Sequence, residues 1–422
     1  MTCVQEAAQQ DGLVVVGAGQ AGGRTVEALR LNGYSGQLTL IGEEPELPYE
    51  RPSLSKEMLL DDSQETVTWV HDPGFLKNWS VNFESGISAT RIDRAAHRLE
   101  LSDGRSLSYG GLILATGRRP RRLTIPGGDD RRCLYLRSLE DSRILRGRLQ
   151  PGLRLLVIGA GFIGLEVASA AIRRGCAVTV VEFADAPIAR VAPRALGENL
   201  CKEHRAHGVQ FRFATQITSF ISADGALLAK TSDGQTLPAD LVVIGIGAEP
   251  NCEIADEAGL TVANGIVTDS FGASSDPYIF AVGDVAVHFN TIFGRHISLE
   301  SWQNAQNGAI AVARNLAQVG LMAPYAEVPW FWSDQYDRNL QIFGLFNPKA
   351  EAIVRTRADG SCLYFQTEGG RLVFAAGVGA ARDLRPAKDL ILAQAPVSAA
   401  ALTDPSISLS ALVRELKAKQ TV

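Results

Sequence analysis

Two copies of one glycine pattern constrain this chain more than any other feature of it. In the first copy the apolar run Leu13-Val14-Val15-Val16 meets Gly17-Ala18-Gly19-Gln20-Ala21-Gly22, and a helical pattern follows to about Asn32. Each glycine has a physical reason. Gly17 makes a tight turn, Gly19 lets backbone approach a pyrophosphate, and Gly22 allows a helix to pack closely on its strand. The helix start then offers free N–H groups and the positive end of a dipole to phosphate. Glu43 ends the next strand, Leu38-Thr39-Leu40-Ile41-Gly42, about twenty residues past the turn, where an acid binds a ribose hydroxyl.

The second copy is Leu155-Leu156-Val157-Ile158 followed by Gly159-Ala160-Gly161-Phe162-Ile163-Gly164, with a helix running to a cap at Gly175. The strand Ala177-Val178-Thr179-Val180-Val181 then ends on Glu182. Two fingerprints imply two dinucleotides, and two dinucleotides imply electrons passing between them. Glu182 also discriminates, because a carboxylate accepts a hydrogen bond from a free 2′-hydroxyl and repels a 2′-phosphate. Phe183-Ala184-Asp185 bring no compensating base and Arg190 stands further along, so NADH is expected rather than NADPH.

A chain of 422 residues suggests two to three domains, and 46% hydrophobic residues can give each a core. The net charge of −5 supplies no global basic field for nucleic acid. The first eleven residues hold no Lys or Arg and no long apolar run, so no secretory signal is expected there. No stretch approaches eighteen consecutive apolar residues, so a cytoplasmic protein without a membrane span is expected. Cys3, Cys133, Cys176, Cys201, Cys252 and Cys362 are scattered with no Cys-x-x-Cys pair, which argues against a zinc site, a cysteine-ligated cluster and a redox dithiol. No metal site is expected.

Between and beyond the two turns lie further candidates. Pro48-Tyr49-Glu50-Arg51-Pro52-Ser53-Leu54-Ser55-Lys56 reads as a rigid charged loop entering a short helix. The strand Leu112-Ile113-Leu114 ends in Ala115-Thr116-Gly117, where backbone can come close to a ligand. Arg118 to Arg154 carries eleven arginines against four acids, either a solvated linker face or a docking surface for an acidic partner. Glu198 to His207 reads as a polar helix, and Leu241 to Gly247 as another buried strand with a glycine-rich end. Tyr278-Ile279-Phe280-Ala281-Val282 ends in Gly283-Asp284, an aspartate placed to accept hydrogen bonds from polyol hydroxyls. Glu300-Ser301-Trp302-Gln303-Asn304 opens a helix to about Leu316. After aromatic-dense Trp330-Phe331-Trp332-Ser333-Asp334-Gln335, alternating strands and two helices, near 382–395 and 408–419, read as a small α+β domain with no local catalytic signature. In the last helix Leu409, Leu412, Val413 and Leu416 recur at helical spacing, which suits packing on its own domain.

These pieces in this order resemble the oxygenase-coupled, NADH-dependent ferredoxin reductases, the class of putidaredoxin reductase and biphenyl dioxygenase reductase, within the glutathione-reductase-like flavoproteins. The resemblance covers nearly the whole chain. It rests most on Tyr49-Glu50-Arg51-Pro52-x-Leu54-Ser55-Lys56, Ala115-Thr116-Gly117, Gly247-Ala248-x-Pro250-Asn251, Ala281-x-Gly283-Asp284 and Glu300-Ser301-x-Gln303-Asn304. It implies an α/β fold of two Rossmann-like dinucleotide-binding domains plus a C-terminal α+β domain. The implied bounds are 12–118 with 249–328 for FAD, 119–248 for NADH and 329–422 for the last domain.

The resemblance further implies FAD at the first turn, with Glu43 on its adenosine ribose, and NADH at the second. Arg51, Pro52 and Lys56 would line the flavin, Asp284 would bind its ribityl chain, and Trp302 would lie beside the ring. Lys56 would pair with Glu166, which keeps the lysine charged and oriented in a partly dry site. The implied reaction takes hydride from NADH to FAD and passes electrons singly to a [2Fe–2S] ferredoxin serving a cytochrome P450 or a ring-hydroxylating dioxygenase. Dithiol reductases of the wider family need a cysteine pair beside the flavin, and NADH peroxidases a single catalytic cysteine in the region filled here by Arg51 to Lys56; this chain has neither. The alternatives are a rubredoxin or quinone acceptor, or a redox-signalling protein resembling apoptosis-inducing factor, against which the acidic net charge speaks.

Overall fold

A computed structural model describes residues 2–60, 65–223, 225–318, 320 and 322–420; Met1 lies outside them. The chain forms two compact units. One comprises Met1–Arg51, Val67–Arg119 and Ala248–Glu327, the other Pro52–Thr66, Pro120–Gly247 and Val328–Val422.

The first unit is built on a five-stranded sheet in the order Ile279–Ala281, Gly111–Leu114, Leu13–Val16, Leu38–Gly42, Asn82–Ser85, with every pair parallel. The central strands are unbroken apolar runs because both sheet faces are covered. Register decides where the chemistry gathers. Val16 pairs with Ile41 and with Leu114, and Leu114 pairs with Ala281. Gly17, Glu43, Ala115 and Gly283 therefore follow at the carboxyl ends of neighbouring strands, where open α/β sheets bind ligands. The helix Gln20–Leu31 packs against the helix Trp302–Ala317, sharing a core of Val26, Leu29, Ala309, Val312 and Leu316. Ser301 begins the second of these by accepting the Asn304 N–H on its hydroxyl, the N-cap role its position suggests. Residues Thr2–Asp11, unassigned from sequence, form a helix that buries Val4 and Ala8 in the same core.

The second unit repeats the plan. Its parallel sheet runs Gln210–Arg212, Ala177–Val181, Arg154–Ile158, Leu241–Ile244, Cys133–Leu134. Ile158 pairs with Val181 and with Ile244, so Gly159, Glu182 and Gly245 again follow at the carboxyl ends of neighbouring strands. The polar helix runs Arg194–Ala206, starting earlier than Glu198 because Pro193 sets its entry. The final third carries an antiparallel sheet, ordered Trp330–Gln335, Arg338–Gly344, Arg371–Val378, Cys362–Glu368, Ile353–Thr356.

The expectation of two terminal helices is corrected to four: Ala381–Leu384, Pro386–Ala393, Ala399–Thr403 and Leu409–Gln420. Pro386 has no N–H for a continuing helix and starts a new one, and Gln394, at φ +50°, stops it. The last helix buries Leu409, Leu412 and Val413 against its own domain. Among the described residues no helix is long and apolar enough to cross a membrane.

Candidate functional site

The first turn is built by close backbone approach. Gly17 sits at φ +106°, and a Cβ there would stand 2.3 Å from the Ala115 carbonyl oxygen. A Cβ on Gly22 would stand 1.8 Å from the Gly17 oxygen. Gly19 differs, since its Cβ direction meets only the Arg51 guanidinium, at 3.8 Å. It is also the N-cap of Gln20–Leu31 and offers no side chain to the first-turn N–H groups. Uncapped donors, an arginine and open space beside a glycine suit a pyrophosphate.

Neighbouring groups fix the rim of this turn. Arg51 Nη2 lies 2.6 Å from Glu44 Oε1, the Tyr49 hydroxyl donates to Glu44 Oε2 at 2.5 Å, and the Asp284 carboxylate acts electrostatically on Arg51. Glu43 is exposed where its strand ends. Thr116 donates to the Asn251 carbonyl at 2.6 Å while the Asn251 amide donates back to the Thr116 carbonyl, which locks the Ala115-Thr116-Gly117 strand end. Gly283 is left-handed at φ +74°, and buried Asn304 donates to its carbonyl. Burial pushes the Glu50 carboxyl up, opposed by hydrogen bonding from Trp302 and the charge of Arg24.

Arg118 is the residue that sequence reasoning misplaced. Its membership in a basic run suggested solvent or a docking face, yet it is 4% exposed. Its guanidinium donates to the Asp284 and Asn264 carbonyls and the Ser298 hydroxyl, and lies 3.3 Å from Glu300. The residue ties the Asp284 and Glu300 segments together. Arg119, Arg132, Arg143 and Arg154 of the same run are each paired with acids, so much of its surplus charge is neutralised locally.

The second turn has matching geometry. A Cβ on Gly159, at φ +103°, would meet the Gly245 oxygen at 2.3 Å, and one on Gly164 would meet the Gly159 oxygen at 2.1 Å. Gly161 faces open space and caps Phe162–Arg173 without a side chain. Glu182 Oε2 accepts from the Ala160 N–H at 2.6 Å and Oε1 from Ala184 N–H at 2.8 Å. The acid is thus held over the turn. Arg190 lies 3.6 Å from the Cβ direction of Gly247, so these two distant residues meet.

The second unit also contains Pro52, which opens a short 3-10 turn, and Lys56. Lys56 Nζ lies 3.6 Å from Glu166 Oε1 and 3.2 Å from Asp334 Oδ2, with 8% of its side chain exposed and 4% of that of Glu166. The Lys56 ammonium stands 5.3 Å over the Trp332 ring. Ser333 donates to Glu166 Oε1 at 2.6 Å and Ser55 to Oε2 at 2.5 Å. Burial pushes the Glu166 carboxyl up, and Lys56 and the two hydroxyls pull it back. Ser333 and Asp334 were not singled out from sequence, since a serine and an aspartate in an aromatic strand carry no local signature.

Each unit buries one neutral imidazole. His204 and His288 are 0% and 5% exposed, and desolvation pulls each down to about 4. A His lowered in the folded state binds its proton less readily than in the unfolded chain, so stability falls as pH drops from about 6.5 to about 4. Each His is expected to remove about 3 kcal/mol over that window, measured by urea unfolding at several pH values. Unchanged midpoints across the window would refute it.

The six cysteines are free thiols. Burial pushes Cys133 and Cys201 up to about 12, so neither forms a thiolate near neutrality. Among the described residues no cluster of His, Cys, Asp and Glu could hold a metal ion.

Comparison with known proteins gives consistent matches. The description "Pyridine nucleotide-disulphide oxidoreductase" fits residues 11–309, and "Reductase C-terminal" fits residues 330–413. The chain is 42% identical over 401 residues to the anthranilate 1,2-dioxygenase system ferredoxin–NAD(+) reductase component of Burkholderia cepacia, covering 94% of this chain and 98% of that protein. It is 36% identical to putidaredoxin reductase of Pseudomonas putida, covering 97% and 98%. Among solved structures, the ferredoxin reductase for the CYP199A2 system from Rhodopseudomonas palustris superposes with a TM-score of 0.90 at 36% identity, covering 95% and 99%. The covalent putidaredoxin reductase–putidaredoxin complex gives 0.91 at 35%, covering 96% and 99%.

Proposed function

This chain belongs to the pyridine nucleotide-disulphide oxidoreductase family, and from that premise we propose that it is an FAD-dependent NADH:ferredoxin oxidoreductase of an oxygenase system. The reaction takes one NADH and two oxidised [2Fe–2S] ferredoxins to NAD+, a proton and two reduced ferredoxins. The ferredoxin then serves a ring-hydroxylating dioxygenase or a cytochrome P450. The observation that carries the reading is the pair of glycine turns, each opening an uncapped helix beside a carboxylate, in a chain whose described thiols are single and free. The cytoplasm, where NADH is supplied, is the compartment that suits it.

FAD, when bound, accepts two electrons as hydride and gives them up one at a time. The protein's own work is binding and orientation. The Gly17–Gly22 turn with Arg51 suits the FAD pyrophosphate, Glu43 its ribose, and the Ala115–Gly117 and Gly283–Asp284 strand ends its remaining length, with Glu300, Ser301 and Trp302 on the adjoining helix start. The Gly159–Gly164 turn, Glu182, Arg190 and Gly247 suit NADH, with the Glu182 carboxylate accepting from a free 2′-hydroxyl. Lys56 supplies a positive charge that favours added negative charge on the flavin ring, and Glu166 pairs with that lysine and orients it. No thiol takes part.

NADH-driven cytochrome c reduction by the purified yellow protein tests the acceptor. A strong dependence on added [2Fe–2S] ferredoxin is expected. Failure with several ferredoxins, while NADH still bleaches the flavin, would overturn the acceptor and leave the hydride step standing.

A further inference from the structure

Glu166 ends a chain of hydrogen bonds that crosses the second unit. Ser333 Oγ donates to Glu166 Oε1 at 2.6 Å, and Gln335 Nε2 donates to Ser333 Oγ at 3.1 Å. His204 Nε2 meets Gln335 Oε1 at 2.9 Å, and His204 Nδ1 meets the Tyr336 hydroxyl at 2.9 Å. Ser333, Gln335 and His204 are 0%, 3% and 0% exposed.

Valence fixes the direction. An amide that donates through Nε2 can only accept at Oε1, so His204 must carry its proton on Nε2. Its Nδ1 is then an acceptor, and the Tyr336 O–H donates to it. Every donor therefore points toward the carboxylate. The Gln335 amide cannot pass a proton onward without leaving its amide form, so the array orients charge and does not conduct it.

The hairpin turn argues for the same end. Gln335 pairs with Arg338, and Tyr336 takes φ +57° in the turn between them, a left-handed position where glycine is favoured. Its backbone N–H is held by Ser169 Oγ at 2.9 Å, and its ring stacks on His207 at 3.8 Å. A bulky residue kept in such a conformation suggests that its side chain is what the position requires.

We propose that Tyr336, His204, Gln335 and Ser333 form a one-way donor array that holds Glu166 ionised and oriented for Lys56. His204 and Gln335 are positioning residues. The charged and titratable groups facing the array are Lys56 and Asp334 at the Glu166 end, with His207 and Glu203 on the His204 helix and Arg338 reaching Glu203. Its effect on the flavin rests on the role proposed above for Lys56.

The test uses the FAD-bound protein. Infrared titration of the Glu166 carboxyl, assigned by its loss in Glu166→Gln, is expected to move up by about one pH unit in His204→Leu, a tenfold change in its proton affinity. His204→Gln, which retains an N–H donor, is expected to return close to wild type. In the unaltered protein, nitrogen-15 spectra are expected to show His204 as the Nε2–H tautomer at neutral pH. The Nδ1–H tautomer, or one shared carboxyl titration for all three proteins, overturns the array. A shifted titration with an unmoved flavin midpoint potential supports the array and overturns the role given to Lys56.

Discussion

Gly22→Ala is expected to give a colourless protein, with FAD affinity lowered on the order of 100-fold or more. The added Cβ would lie 1.8 Å from the Gly17 carbonyl oxygen, a backbone atom that no side-chain rotation can clear. The helix Gln20–Leu31 must then lift from its strand, and its uncapped N–H groups leave the phosphate position. Overpacking of this kind costs about 1–3 kcal/mol or more, and each 1.4 kcal/mol is tenfold in affinity. The same substitution in the other copy supplies the contrast. Gly164→Ala, with its Cβ 2.1 Å from the Gly159 oxygen, is expected to remain yellow and bleach with dithionite but not with NADH. Flavin absorbance after gel filtration, followed by the two reductants, reads both outcomes. A yellow Gly22→Ala protein alongside a colourless Gly164→Ala protein would exchange the two assignments.

The second large effect concerns the buried pair. Glu166→Leu leaves the Lys56 ammonium 8% exposed, with Asp334 at 3.2 Å as its remaining acid. Removing one partner of a buried pair costs about 3–5 kcal/mol, here reduced by whatever Asp334 retains. The double variant Lys56→Met with Glu166→Leu removes both charges and is expected to recover most of that stability, because no uncompensated ion stays buried. Flavin reduction by NADH should remain slow in the double variant even so. Urea unfolding and stopped-flow reduction separate the two quantities. A single variant as stable as wild type would mean the pair holds no buried charge.

The parts of this molecule that were legible in sequence are those whose cause is local. Gly17 and Gly22 are required by atoms a few residues away or on the adjoining strand, and Glu43 and Glu182 by where their strands stop. Apolar runs such as Leu13–Val16 and Leu241–Ile244 declare burial on both sheet faces. Arg118 was misread because charge counting along a chain cannot see carbonyls delivered from residues 264 and 284. Ser333 and Asp334 were missed for the same reason. Their partners Glu166 and Lys56 lie far back in the chain, and alternation along Trp330–Gln335 shows only that Ser333 and Gln335 share a face. Ala399–Thr403 was missed because five residues give no period to count, although Ser398 caps it.

The strand order of the first unit has a consequence for synthesis. Leu13–Val16, Leu38–Gly42, Asn82–Ser85 and Gly111–Leu114 leave the ribosome early, but Ile279–Ala281, which covers the Gly111–Leu114 edge, comes only after the intervening stretch has been translated. At about 5–20 residues per second that apolar edge waits for roughly 10–30 s with its backbone groups unpaired. An open edge of four buried-type residues is a template for other nascent chains. Yield of this protein should therefore depend on how crowded its own polysomes are, and on chaperones that bind extended apolar segments, well before any cofactor is present to stabilise the finished sheet.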